Sequence, residues 1–141
     1  MYYFTQVVNK TFEEASALIT EALKTEGFGI LTEIDAQAAF KKKLNQDFRR
    51  YLILGACHPR IAYQMLQLDD KAGTLYPCNV VVQEHEDGTV EVSAINPEAM
   101  FHHLQNDKAK EIAHHASQLM QSVMEKFTQA AQQESPVLVN S

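Results

Sequence analysis

The segment from Tyr76 to Pro97, YPCNVVVQEHEDGTVEVSAINP, restricts the fold of this chain more than any other stretch. Two alternating β-branched runs flank Asp87-Gly88, a pair favoured where both central residues of a two-residue type I′ turn need positive φ. An antiparallel hairpin follows, and with it a sheet that has to bury at least one face. A turn centred on Asp87-Gly88 places Val81 with Val92 and Ala94 on one face, and Val80 and Val82 with Ile95 on the other. Both faces then carry apolar side chains. In a chain of 141 residues helices can cover only one of them, so the other is expected to meet a second copy in a symmetric homodimer.

The remaining strands and the helices read as follows. YYFTQVV, near the start, is aromatic and β-branched and fits a first strand. Thr11 with Glu14 has the capping-box form, and Phe12, Ala15, Leu18, Ile19, Ala22 and Leu23 lie on one face of the helix it opens. Gly27 is placed to end that helix. FGILTEID is a second strand, and AQAAFKKKLNQDF is a short helix with Phe40 and Leu44 four apart on its inner side. RRYLILGAC is a third strand, apolar on both faces from Tyr51 to Leu54 as central strands are. Pro59 suits the first turn of a helix through Ile61, Ala62, Met65 and Leu66, and Gly73 ends that connection. After Pro97 a short helical piece precedes a long helix capped by Asn106 or Asp107. Its stripe of Ile112, Ala116, Leu119, Val123 and Phe127 has to lie on the sheet. The order predicts an α+β fold with a mostly antiparallel sheet covered by helices on one face. Residues 1–133 make the single domain; 134–141, which contain SPVLVNS, make a C-terminal tail suited to a partner contact.

Composition narrows the function classes. No run approaches the roughly 20 apolar residues that span a bilayer, so no membrane role is expected. MYYFTQVVNK lacks the layout of a secretory leader, which points to the cytoplasm and to two reduced thiols rather than a disulfide. A net charge of -6 repels phosphate backbones and argues against nucleic acid. Lys41, Lys42 and Lys43 with Arg49 and Arg50 form the basic exception. That run reads either as a hold for a small anion or acidic partner, or as a solvated helix face.

Four pieces, GFGILTEID, LILGACHPRIAYQML, LYPCNVVV and VSAINP, spaced in order between Gly27 and Pro97, resemble the bacterial family labelled domain of unknown function 302. The resemblance implies a fold of the TATA-box-binding-protein class, with one strand, a helix, four strands and a final helix, commonly as a dimer. It implies no DNA binding, since a shared fold does not carry function. Family members usually have asparagine where this chain has His58, so any role of His58 would belong to this chain or near relatives.

The two cysteines frame the candidate site. Cys57 lies just ahead of the helix opened by Pro59, where unpaired N–H groups and the helix dipole favour an anion or a thiolate, and His58 can add positive charge. With Pro77, Cys78 and Asn79 brought near by the sheet, these residues outline a pocket for a small, anionic ligand. A second reading is a redox enzyme or sensor in which Cys57 attacks and Cys78 resolves. A third is a structural or partner-binding module, with both thiols packed as small apolar groups. The histidines give no metal site: His102-His103 and His114-His115 are adjacent pairs, and His103 and His114 on one continuous helix would sit about 16 Å apart. No feature requires a cofactor.

Overall fold

The Thr11 and Glu14 box forms as read: Thr11 Oγ1 accepts the Glu14 N–H at 3.0 Å, and Glu14 Oε1 accepts the Thr11 N–H at 3.0 Å. It opens the first helix of a computed structural model that describes residues 1–133. The chain order is β1 (Tyr3–Val8), α1 (Phe12–Thr25), β2 (Gly29–Asp35), α2 (Ala36–Leu44), β3 (Tyr51–Cys57), α3 (Pro59–Leu68), β4 (Cys78–Glu84), β5 (Val90–Ile95), α4 (Pro97–Phe101) and α5 (Asp107–Ala131). A 3-10 turn at Ala72–Leu75, which the sequence reading did not anticipate, leads into β4. The tail assigned to 134–141 lies outside the described residues. The strands form one antiparallel sheet in the order β1-β5-β4-β3-β2. The fold is α+β, as expected.

The hairpin is present, but its turn differs from the expected type I′. The loop has three residues, Glu86 to Gly88, between His85 and Thr89, whose backbones bond at 2.9 Å. Gly88 has φ +87 and donates its N–H to the His85 carbonyl at 3.0 Å, while Asp87 is not among the residues with positive φ. The Asp87 carboxylate instead accepts from Thr89 N at 2.9 Å and Thr89 Oγ1 at 2.6 Å, which holds the turn without left-handed backbone at Asp87. This is the three-residue hairpin with a left-handed glycine.

One extra loop residue moves the register. Val80 pairs with Ala94 and Val82 with Val92, and all four are fully buried. Val81 pairs with Ser93 on the opposite face, which it shares with Ile95. The expected partition, with Val81 beside Val92 and Ala94, is therefore corrected. Burial decides it: each fully buried valine is worth roughly 1.5–3 kcal/mol, so a one-residue slip of β5 would lift Val90, Val92 and Ala94 off the core together.

Helices α1 and α5 cover the face that carries Val80, Val82, Val90, Val92, Ala94 and Leu54. Ile19, Leu23, Met120, Val123 and Phe127 are packed into it. The first half of α5 serves a second cluster, where Ile112, Ala113 and Ala116 meet Ile61 and Met65 of α3 and Phe101 of α4. Asn106 caps α5 by accepting from Ala109 N, and Asn96 caps α4 by accepting from Glu98 N, so a short helix and then a long one follow Asn96 as expected. Helix α2 departs from expectation. Asn45, at φ 52, ends it, Ala36 is its one buried residue, and Phe40 and Leu44 are exposed at 38% and 63%. Phe40 packs edge-on to Phe48 at 5.1 Å rather than into the core.

Candidate functional site

The six residues singled out from the sequence divide between two sides of the sheet. Cys78 pairs with Ala56, and both are buried beneath the helices. Successive side chains on a strand alternate faces, so Cys57 projects to the opposite side from Ala56 and Cys78. Both cysteines are free thiols. Burial pushes the Cys57 thiol above its ordinary value, and burial, with Cys57 nearby, pushes Cys78 up to about 12. A thiolate-stabilising environment at Cys57 was expected; desolvation there acts in the opposite direction.

His58 does not supply charge either. Its Nδ1 accepts the Ile61 N–H at 3.4 Å as the N-cap of α3, a bond that needs the neutral ring. Burial first, and then His115 and Arg60, hold its pKa below the ordinary value. The ring stands edge-on to Phe28 at 5.5 Å and lies against Gly27, where a Cβ would come within 2.8 Å of Nε2. Pro59 follows as the first residue of the helix and is exposed.

Pro77 and Asn79 belong to the helix-free face. Gly55 pairs with Asn79 on one side and Thr32 on the other. A Cβ at Gly55 would overlap Thr32 Oγ1 and stand 2.7 Å from Pro77 Cγ, so these two side chains close over a glycine that leaves them the room. They form a shoulder beside Asn79.

Beyond that shoulder the helix-free face holds a concavity of about 380 Å³. Its residues come from register-paired rows. Thr5, Ser93, Val81 and Ile53 make one row across four strands, and Val7, Glu91, Gln83 and Tyr51 make the next. Tyr3 pairs with Ile95 at one corner, with Tyr2 stacked edge-on to it at 4.8 Å; Tyr51 stands at the far corner. Val81 and Ile95 give an apolar centre, and Asn79, Gln83, Ser93 and Glu91 surround it. Gln83, Ser93 and Glu91 are held in place. Glu91 Oε2 accepts from Thr5 Oγ1 at 2.6 Å and Oε1 meets His85 Nε2 at 2.8 Å, and these bonds from Thr5 and then His85 keep its carboxyl below the usual range. Ser93 and Thr5 hydroxyls bond at 2.8 Å. Gln83 Oε1 accepts from Arg49 Nε at 2.9 Å, and the Arg49 guanidinium lies 4.4 Å from the Phe48 ring centre and 5.6 Å from that of Tyr51.

Of the six candidates only Asn79 lines this concavity. Tyr2, Tyr3, Tyr51, Gln83, Glu91 and Ser93 were missed as site residues. Their signal was the polar alternation in CNVVVQE and VEVSAI, which the expected turn placed on mixed faces. Among the described residues no three His, Cys, Asp or Glu side chains gather as a metal site would need. No described helix is long and apolar enough to cross a membrane.

An open-faced α+β sandwich with a furnished sheet surface is the class of protein these features define. The family profile described as Domain of unknown function DUF302 matches residues 4–127, and the chain belongs to that family. A crystal structure of an uncharacterized conserved DUF302 protein from Bacillus stearothermophilus superimposes with a TM-score of 0.81 at 26% identity. The match covers 89% of this chain and 98% of the other. Comparison with curated proteins gives no match.

Proposed function

We propose that this protein binds a small organic molecule on the helix-free face of its sheet, and not at the thiols. The observation that carries the reading is the 380 Å³ concavity with three tyrosines at its rim and hydrogen-bonding side chains fixed around an apolar centre. Ligand sites combine these elements: apolar surface with a few oriented polar groups, in volumes of about 300–1,000 Å³. The thiol-redox reading has less support, since the cysteines project to opposite faces and both are pushed toward the protonated form. The proposal treats residues 1–133 as one domain of the TATA-box-binding-protein class of folds, acting in the cytoplasm without nucleic acid. Two free thiols and a net charge of -6 support those two points. A library of small aromatic and polyol fragments screened by ligand-observed NMR tests it. Hits should lose their signal changes in Tyr51→Ala, and hits indifferent to Tyr51→Ala, Asn79→Ala and Gln83→Ala alike would place binding elsewhere and end the proposal.

A second reading has its own observation. Val7 and Ile34 are 48% and 52% exposed on this face, in line with partly exposed Ile53, Val81 and Ile95. A second copy seated there would cover them, giving the homodimer expected from the sequence. Light scattering on the wild type and on Ile53→Lys decides it: a dimer that becomes a folded monomer supports this reading, and a wild-type monomer removes it.

A further inference from the structure

The side chains of the helix-free face also restrict what class of molecule fits there. We infer that the site takes an uncharged planar nitrogen heterocycle, such as the base of a nucleoside or a comparable fused ring, lying flat on Val81 and Ile95 with opposite edges toward Asn79 and Gln83. This inference rests on the small-ligand reading above.

Charge weighs first against an anion. Glu91 is the only ionisable carboxylate in the lining, and both its oxygens are already engaged, by Thr5 and by His85. It repels an anion, and each of its oxygens already holds one hydrogen bond. Arg49 stays outside the lining, stacked on Phe48 and Tyr51 and bonded to Gln83. No lysine, arginine or histidine belongs to the lining itself, so the anionic ligand expected from the sequence finds no cation within it.

Hydrogen-bond supply narrows the choice among neutral molecules. Gln83 spends its Oε1 on Arg49, which leaves its NH2 to donate. Asn79 is exposed, takes no part in the bonds that fix Thr5, Gln83, Glu91 and Ser93, and offers a carbonyl and an NH2 from one side chain. A ligand edge that alternates donor and acceptor satisfies an amide of this kind at two points, as Asn and Gln do with adenine. A polyol needs several acceptors for its hydroxyls, and the strongest acceptor present, Glu91, already accepts from Thr5 and meets His85.

Shape agrees. Tyr3 on β1 and Tyr51 on β3 are three inter-strand steps and four residues of strand apart, roughly 20 Å at the backbone, so their rings bound a floor wide enough for a fused bicycle. A planar ring covers the Val81 and Ile95 surface without the entropy cost of ordering a flexible chain.

The test is a protein-observed 1H-15N NMR titration of the full chain with adenosine, riboflavin, adenosine monophosphate and ribose. Adenosine or riboflavin should shift the amides of Asn79 to Gln83 and of Glu91 to Ile95. Ribose should leave them unmoved, and adenosine monophosphate should bind more weakly than adenosine. Asn79→Ala and Gln83→Ala should each weaken binding about 3- to 10-fold, the size of one lost hydrogen bond, with amides of the helix-covered face unchanged as a check on folding. If ribose shifts these amides and neither heterocycle does, the heterocycle inference falls while the small-ligand reading survives. If none of the four probes moves them, the inference is overturned. Failure of the wider fragment library as well, with a dimer broken by Val81→Lys, would give the face to a second copy and remove both.

Discussion

His58 fills an N-cap position where asparagine would serve equally well, and the difference between the two is a titratable ring. Because the folded protein holds the His58 pKa below its ordinary value, the unfolded chain binds the proton first as pH falls. The stability this site contributes is present above about pH 6.5 and is lost as pH drops through the lowered folded value. Urea midpoints measured from pH 7.5 to 5 should fall for the wild type and fall less for His58→Asn, which keeps the cap and cannot titrate. Equal slopes would mean that the ring is not protonated on unfolding in that range. The thiols give a second expectation at this scale. Alkylation followed by mass spectrometry should show Cys57 reacting with a midpoint above that of a free thiol, and Cys78, at 4% exposure, reacting only after unfolding. A fast-reacting Cys57 near neutral pH would restore the redox reading. Gly55 marks a third point: Gly55→Ala should cost roughly 1–3 kcal/mol in denaturant unfolding, because Thr32 and Pro77 occupy the space its methyl needs.

The β4–β5 hairpin shows at the scale of an element what one residue of loop does to a sheet. Gly88→Ala should destabilise the protein by about 1 kcal/mol, since φ +87 suits no Cβ, and a matched loss in Asp87→Ala would follow from its two bonds to Thr89. A Gly88→Ala midpoint equal to wild type would mean that the turn relaxes to another form. The same loop explains where sequence reading stopped. Capping box, proline-led helix, glycine stop and hairpin are local signals carried by a few neighbouring residues, and each formed where Thr11, Pro59, Gly27 and Gly88 indicated. The turn type was not local: Asp87 accepts either backbone form, and the choice was made by valines packing under α1 and α5. With the register went the floor of the candidate site, because Val81 reads as core or as surface according to that single residue. Helix α2 failed for a related reason. Phe40 and Leu44 have helical spacing, but periodicity cannot say that the partner of Phe40 is another loop aromatic rather than the sheet.

Over the whole molecule, α5 joins two cores, one with α1 on the sheet and one with α3 and α4, and Leu119 and Met100 touch both. Truncation on the buried stripe should therefore be felt throughout: Met120→Ala is expected to cost about 2–5 kcal/mol and Phe127→Ala about 3–5 kcal/mol, each in a single cooperative transition. Two separated transitions would show that the clusters unfold independently. The helix-free face stands outside this arrangement, and that has a consequence for how such proteins diversify. Residues that do not hold the fold together can be exchanged without penalty to it. Two chains with 26% identity and a TM-score of 0.81 have kept a backbone while most side chains drifted, and drift is least constrained where nothing packs. A saturation library scored only for folding should accept broad substitution at Val81, Gln83 and Ser93 and reject it at Val80, Val82 and Val92, their neighbours one residue away. A surface so free to vary lets one ancestral backbone acquire different binding specificities in different lineages.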